Sequence, residues 1–236
     1  IDLDHRQRSL SHFFQNRAQW GDRLGRDLLL PRLLPLEPSA REVRAEADAE
    51  DAIRYAGAVD ALRAECDVIV VDCPGANTAL GRAAHGSATI IVTPMNDSFV
   101  DFDLLATVDP ETHEAKAPSI YAEFVWESRK RRMVEQRRTI DWLVVRNRMS
   151  ATETHNQRRV SHALTKLSQR IGFRIAPGLS ERVIYRELFP RGLTVLDLIE
   201  GKTRGITMSQ IAARAEVRGL IAALRLPVFS RLAEAG

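Results

Sequence analysis

Cysteine is scarce in this sequence. Its 236 residues include two cysteines, Cys66 and Cys73, with no CxxC pair and no histidine cluster at metal-ligand spacing. So few thiols support neither a disulfide framework nor a zinc site. We predict that both cysteines are reduced thiols in the core of a cytoplasmic protein.

Long apolar runs and targeting signals are also missing. No run approaches the roughly 20 apolar residues that a membrane-spanning helix needs, and no signal peptide is visible. The chain contains no internal repeat, low-complexity tract or interdomain linker. Hydrophobic residues make up 44% and charged residues 28%, as in ordinary globular proteins. We predict one α/β domain over residues 1–236 with no membrane contact.

The excess of positive charge is small, so the placement of the basic residues must indicate any nucleic-acid partner. The net charge is +3, and Ser128–Arg138 holds six basic residues. That run is either a solvated helix face or a phosphate-binding patch. Two predicted basic helices, Thr154–Ile171 and Glu181–Phe189, are the better DNA candidate, with solvated faces as the alternative.

The most informative stretch is ECDVIVVDCPG, Glu65–Gly75. Its unbroken apolar run Val68–Val71 predicts a strand buried on both faces, which is typical of parallel sheets covered by helices. Asp72 follows the run directly. An acid at the carboxyl end of such a strand either holds magnesium beside nucleotide phosphates or only ends the strand and caps a turn.

The chain begins with another acidic strand end, Ile1-Asp2-Leu3-Asp4. Asp2 and Asp4 share one face because side chains alternate along an extended segment. They could orient a water molecule or support magnesium, or they could simply precede a helix cap. The first residue is not methionine, and Ile1–Leu3 resembles the end of a strand, so we expect a fragment that lacks its first strand and helix.

Further strands and helices alternate along the chain, which predicts an α/β fold with a mostly parallel sheet flanked by helices. Predicted strands are Leu28–Leu30, Ala88–Thr93, Ile120–Trp126, Trp142–Val145 and Phe173–Ala176. Predicted helices are Ser9–Trp20, one or two within Ala40–Arg63, Asn77–His85, Phe99–Val108 with a cap at Asp97 or Ser98, Thr154–Ile171, Glu181–Phe189 and Thr207–Leu226. Pro110–Pro118 is predicted as a loop.

Several stretches together carry a family resemblance. They are IDLDHRQR at residues 1–8, VIVVDCPG at 68–75, VTPMNDSFVDFD at 92–103, WLVVRNR at 142–148 and FRIAPGLSERVIYRELF at 173–189. The chain resembles the ParA/MinD group of deviant P-loop ATPases and, within it, the MipZ family of division-plane positioning ATPases. This resemblance implies a P-loop NTPase fold and an ATP-dependent homodimer that hydrolyses ATP with Mg²⁺. It also implies binding to ParB and nonspecific DNA, inhibition of FtsZ assembly, and a nucleoid-associated distribution enriched toward the cell poles.

The resemblance assigns roles to single residues. Asp4 corresponds to the acid that helps position the attacking water, and Asp2 to the acid just before it, which supports the magnesium and phosphate region. Asp72 corresponds to the acid that reaches magnesium through water. The nucleotide-binding positions are Pro74, Gly75, Asn147, Arg148, Pro177 and Gly178. Among them, Pro74 and Gly75 correspond to the switch turn, the Asn147 amide to the group that reads adenine, and Pro177-Gly178 to the backbone that lines the base. The DNA-binding positions are Arg158, Arg159, Lys166, Arg170, Arg174 and Arg182.

One family feature has no counterpart in these residues. The group is defined by a phosphate-binding loop of the form KGGxGKS/T, and this sequence contains none. Backbone N–H groups of that loop cradle the phosphates, so we expect the chain as given to bind ATP poorly. Two alternatives stay open: a ParA-type partition ATPase, and a nucleotide-free DNA-binding module of the same fold.

Overall fold

The computed structural model describes residues 1–109, 111, 115–150, 155–198 and 207–228. The helices are α1 Ser9–Leu24, α2 Arg44–Arg63, α3 Ala79–Ser87, α4 Phe99–Phe102, α5 Ile120–Gln136, α6 His155–Ile171, α7 Val183–Leu188 and α8 Met208–Ala223, with 3₁₀ turns at Phe189–Arg191 and Val195–Asp197. The strands are β1 Ile90–Asn96, β2 Ala106–Val108, β3 Ala115–Pro118, β4 Asp141–Asn147 and β5 Arg174–Ala176.

A parallel sheet confirms the predicted α/β class. Its three strands have the order β1-β4-β5, and the pairing of β1 with β4 runs from Ile90 opposite Asp141 to Asn96 opposite Asn147. β2 and β3 pair separately as an antiparallel hairpin. The parallel register brings the carboxyl ends of β1 and β4 to one edge of the sheet.

β4 is buried on both faces, as its apolar sequence predicts. Trp142 and Val144 belong to a core that includes Val125 of α5 and Leu164 of α6. On the other face, Leu143 and Val145 pack with Leu220 and Ala223 of α8 and with Leu224, which caps it. Trp142 donates through Nε1 to Thr93 Oγ1 at 3.0 Å, so its buried polar atom is satisfied.

The chain separates into two compact units, residues 1–87 with 184–199 and residues 88–183 with 200–236. The sheet lies in the second unit. In the first unit, Asp2 bridges both Pro35 and Asp72 in parallel, and a core forms around Leu3, Tyr55, Val59, Leu62 and Leu80. The single-domain boundary drawn from the sequence stays a prediction.

The prediction of a doubly buried strand at Val68–Val71 is wrong. The stretch forms no regular strand, and its bridge lies at Asp72. Ile69 and Val71 pack against the core of the first unit, whereas Val68 is 39% and Val70 67% exposed. An apolar run therefore overstated burial, because only alternate residues of an extended segment face the same core.

Other boundaries are corrected as well. The predicted strand Ile120–Trp126 is the first part of α5, which continues through the basic run to Gln136 and is capped by Ser119. The predicted helix Phe99–Val108 ends at Phe102 and gives way to β2, with Ser98 as its cap. Leu28–Leu30 is not a strand.

The remaining predicted elements are present with shifted ends. The helix predicted to begin at Thr154 is described from His155, since residue 154 lies outside the described part, as do residues 110 and 112–114 of the predicted loop. The rest of that loop contains β3. The predicted helix Thr207–Leu226 is present as α8, in which Ile211 is 46% exposed. Within the described residues, no helix is long and apolar enough to cross a membrane.

Candidate functional site

Three of the predicted acidic site residues lie together in the first unit. Asp2 bridges Asp72 directly, and the Asp4 backbone N–H donates to Asp2 Oδ1 at 3.1 Å. Asp2 is 3% exposed, and its Oδ2 accepts from the Ser11 backbone N–H at 3.0 Å and the Ser11 hydroxyl at 2.6 Å. Asp2 therefore caps the first turn of α1 by accepting hydrogen bonds from Ser11. This capping contact favours a structural role for Asp2 that supports the rest of the site.

Asp4 is held differently. Its Oδ1 accepts from the backbone N–H groups of Arg6 at 3.3 Å and Gln7 at 3.2 Å. Its Oδ2 has no hydrogen-bond partner among the described residues, and the side chain is only half-buried. The turn thus fixes Asp4 while leaving one carboxylate oxygen for a water or ligand.

The electrostatics at Asp72 reflect this crowding of acids. Burial raises the pKa of the Asp72 carboxyl, and the negative charges of Asp2 and Asp4 raise it further. A nearby cation would stabilise the charged form of such a carboxylate. The same surroundings affect Cys73, whose pKa is raised to about 11 by burial and then by Asp72. Cys73 is therefore a protonated thiol at neutral pH, and both cysteines are free, as predicted.

The predicted base-binding residues meet in the second unit. Asn147 ends β4, and Arg148 follows in the left-handed region at φ 52°, an uncommon backbone for a residue other than glycine. Leu179 N–H donates to the Arg146 carbonyl at 2.8 Å, and Met149 N–H donates to the Leu179 carbonyl at 3.0 Å. These bonds bring Pro177-Gly178 alongside the end of β4.

Gly178 is closely packed against the Met149 side chain and the Arg146 backbone. A Cβ built on it would lie 2.2 Å from Met149 Sδ and 3.1 Å from the Arg146 carbonyl oxygen. Gly75, the other predicted glycine, has nothing within 4 Å of such a Cβ. It follows the half-buried Pro74 in an exposed turn. Packing therefore explains Gly178 and leaves Gly75 unexplained.

The six predicted DNA-binding residues fall into two groups. Arg158, Arg159, Lys166 and Arg170 are exposed on α6, opposite its buried stripe of Val160, Ala163, Leu164 and Leu167. Arg174 instead pairs with Asp141, and its Nε lies 3.0 Å from Asp141 Oδ1.

Arg182 is also held in an ion pair. Its Nη2 lies 2.6 Å from Glu216 Oε1. Burial would raise the pKa of Glu216, but hydrogen bonds from Arg182 and Ser180 outweigh burial and lower it. Arg174 and Arg182 thus serve internal ion pairs, and the exposed cations of this set belong to α6.

The basic run of α5 is partly internal too. Arg129 donates through Nη1 to the Gly172 carbonyl at 2.8 Å, just after the end of α6, and Arg132 is 7% exposed and donates to the Ala88 carbonyl. Lys130 lies 5.2 Å above the Trp126 ring. This run is therefore not a uniform phosphate-binding face.

A comparison with family models matches residues 1–228 to the family described as ATPase MipZ. The chain belongs to the MipZ family. The resemblance read from the sequence is thereby confirmed, and the chain is placed among ParA/MinD-type ATPases that act in division-site positioning. No curated protein matches the chain.

A MipZ-family ATPase uses a nucleotide, and the acidic residues are the candidates for its magnesium site. Within the described residues, no group of three or more histidine, cysteine, aspartate or glutamate side chains could hold a metal ion. Both oxygens of Asp2 already accept hydrogen bonds. The donors that remain, on Asp72 and Asp4, fit magnesium held largely by water and phosphate oxygens, as is usual for this ion.

One ion pair near the predicted base-binding residues of this MipZ-family chain was missed by sequence reasoning. Asp97 follows β1 and accepts from Arg146 Nε at 2.8 Å and from its Nη2. The Asp97 side chain is 4% exposed, and its Oδ2 has no partner among the described residues. The sequence suggested Asp97 only as a possible helix cap, a role that Ser98 takes instead.

Proposed function

We propose that the protein is an ATP-dependent dimerising switch that positions the division plane. In this proposal it inhibits FtsZ assembly while it is bound to ParB and to nonspecific DNA, with a distribution over the nucleoid that is enriched toward the cell poles. The observation that carries it is the match to the MipZ ATPase family over residues 1–228. The clustering of Asp2, Asp4 and Asp72 gives independent support.

The acids of the first unit have distinct proposed roles. Phosphoryl transfer to water depends on positioning and on charge stabilisation. Asp4 orients the attacking water through Oδ2, while its turn holds Oδ1. Asp72 would hold Mg²⁺ through a bound water, and the ion would neutralise charge on the phosphates. Asp2 supports both by fixing Asp4 and the start of α1. Pro74 and Gly75 form the turn that follows Asp72 and responds to the nucleotide.

The second unit supplies the residues proposed to bind the base. The Asn147 carboxamide offers both a donor and an acceptor to adenine. The strained backbone at Arg148 and the tightly packed Pro177-Gly178 hold the surrounding main chain in place. A strained backbone that its surroundings hold in place is common at preformed ligand-binding sites.

ATP binding is the first test, because the sequence contains no KGGxGKS/T loop. We expect the 236-residue chain to show no tight ATP binding by calorimetry. A version in which a KGGxGKS/T loop is joined ahead of Ile1 should bind ATP, dimerise by light scattering and turn ATP over. If neither version responds to ATP, the switch proposal is wrong.

A second candidate function is a nucleotide-free DNA-binding module. The exposed cations of α6 favour it, because they need no nucleotide to meet a phosphate backbone. DNA binding that persists unchanged without ATP, in a protein that also fails to dimerise with ATP, would select this alternative. A ParA-type partition ATPase shares the chemistry of the first proposal and would differ in having no effect on FtsZ polymerisation.

The DNA surface predicts a specific mutant phenotype. Arg158→Ala combined with Arg159→Ala should weaken binding to all sequences alike, because phosphate contacts carry no sequence information. Loss of two phosphate contacts should make the slope of log K against log salt shallower by about 1.8. Fluorescence anisotropy with unrelated duplexes at several salt concentrations measures both effects.

The matched control for this experiment is Lys130→Ala with Arg131→Ala, which removes two exposed cations from α5. The control should leave the salt slope unchanged. If it flattens the slope while the α6 variant does not, the DNA surface lies on α5, and the assignment to α6 is wrong.

A further inference from the structure

Two asparagines occupy opposite positions at the carboxyl edge of the parallel sheet. Asn96 is the last residue of β1, Asn147 is the last residue of β4, and the two are opposite each other in register. Residues opposite each other on neighbouring parallel strands point to the same face of the sheet, with backbones about 5 Å apart. Asn96 is exposed and Asn147 half-buried, so a ligand that reaches Asn147 also meets Asn96.

The backbone that carries this pair is fixed from both strands. Asn96 N–H donates to Asp101 Oδ2 at 2.8 Å. The residue after Asn96 and the residue before Asn147 are joined by the buried Asp97–Arg146 ion pair. Beyond Asn147, the chain turns through the left-handed Arg148. Side chains on such a fixed frame can read a ligand with little reorganisation.

A single asparagine is a poor discriminator between purine bases. Its amide can rotate so that either the oxygen or the nitrogen faces the ligand, and it can therefore pair with the donor–acceptor edge of adenine or the reversed edge of guanine. A second amide opposite it in register would remove this freedom when a base binds, because the NH₂ of one could then donate to the oxygen of the other. The orientation then becomes a property of the pair.

We propose that Asn96 is a second base-reading residue, which fixes the orientation of Asn147 and sets the preference for adenine over guanine. This inference rests on the proposed function, because it concerns the same nucleotide. The family resemblance assigned base reading to Asn147 alone. Asn96 adds a specificity-determining contact from a different strand.

The test is a comparison of nucleotide affinities in the form of the protein that binds ATP by calorimetry. Competition of ATP and GTP against a fluorescent ATP analogue gives the ratio of their dissociation constants. We expect Asn96→Ala to reduce the ratio of the GTP dissociation constant to the ATP dissociation constant about tenfold. The loss of ATP affinity itself should be smaller. Asn147→Ala should reduce both affinity and ratio.

The double variant gives a signature that a structural role would not give. If the two amides read the base as one unit, Asn96→Ala in the Asn147→Ala background should change the ratio no further. Gln136→Ala is the matched control, since it removes an exposed carboxamide at the end of α5, which leads into the amino end of β4. It should change nothing.

The failures are distinguishable. If wild type prefers ATP and Asn96→Ala keeps the full preference, the inference about Asn96 is wrong while the proposed function stands. If Asn96→Ala lowers Tm but keeps the ratio, Asn96 is structural only and the inference is again wrong. If no form of the protein binds ATP or GTP, the proposed function fails and the inference fails with it.

Discussion

Replacing Asp4 with alanine is expected to lower ATP turnover about 10²–10⁴-fold and to leave ATP binding intact, in the form of the protein that hydrolyses ATP. The reason is the asymmetry of its carboxylate. The local turn uses Oδ1, and Oδ2 remains to orient the attacking water. An interaction made only in the transition state changes turnover without changing ground-state affinity.

A stalled dimer should accompany this loss. When ATP drives dimerisation and hydrolysis ends it, a protein that binds ATP without hydrolysing it accumulates as the dimer. Phosphate release and light scattering with ATP measure the two effects on one sample. Normal turnover in Asp4→Ala would move the water-positioning role to another residue.

Two variants separate catalysis from stability at this site. Asp67→Ala removes an exposed acid from the segment that leads to Asp72 and should keep full turnover. Asp2→Ala removes the acceptor for both Ser11 donors, so it should lower Tm by destabilising the start of α1. Asp4→Ala should differ from both variants, because it should lose turnover, unlike Asp67→Ala, with little change in Tm, unlike Asp2→Ala.

The features that sequence reasoning predicted correctly are those set by local pattern. The stripe of Val160, Leu164 and Leu167 repeats at helical spacing and is fully buried in α6. The run Trp142–Val145 is a strand buried on both faces. In each case the spacing of the apolar residues fits one kind of element, and the neighbouring residues favour the same element.

The errors arose where distant packing decides the outcome. Ile120–Trp126 contains β-branched and aromatic residues that favour a strand, yet the Ser119 cap and the helix-forming residues that follow make it helical. Val68–Val71 is as apolar as β4, but two of its side chains are exposed. The sequence of a short segment does not determine whether one face or both faces of the strand will be covered by the rest of the protein.

The candidate site shows the same limit. Arg174 and Arg182 have the charge and the predicted location of a DNA-binding residue. Their carboxylate partners lie 33 and 34 positions away in the chain, so nothing in the local sequence distinguishes them from Arg158. The Asp97–Arg146 pair spans 49 positions and was missed for the same reason.

Gly192→Ala is expected to destabilise the first unit by about 2–4 kcal/mol, through backbone strain and steric overlap. Gly192 adopts φ 59°, and a Cβ there would lie 2.1 Å from the Arg17 backbone nitrogen and 2.4 Å from its Cα. Because these atoms belong to the backbone of α1, a side-chain rotation cannot relieve the overlap. Thermal unfolding should show a fall in Tm of roughly 5–15 °C.

The consequence extends to a buried ion pair. Arg17 donates to the Gly192 carbonyl at 3.0 Å and forms two bonds to Asp197, at 2.9 and 2.8 Å. Burial would raise the pKa of Asp197, but hydrogen bonds from Arg17 and Thr194 outweigh it and hold the pKa below its usual value. A lowered carboxyl pKa contributes stability above the unfolded value, and that stability is lost as the pH falls through the folded value. Gly192→Ala should therefore weaken this acid-sensitive part of the stability as well.

Gly25→Ala provides the matched control. Gly25 has the same φ of 59°, yet nothing lies within 4 Å of a Cβ built on it. It carries the backbone strain without the overlap, so it should cost only about 1 kcal/mol. If the two variants lose equal stability, the close approach of Gly192 to α1 does not contribute to the loss of unfolding free energy. A larger loss for Gly192→Ala assigns the difference to that approach, because the two sites differ in crowding and share their backbone conformation.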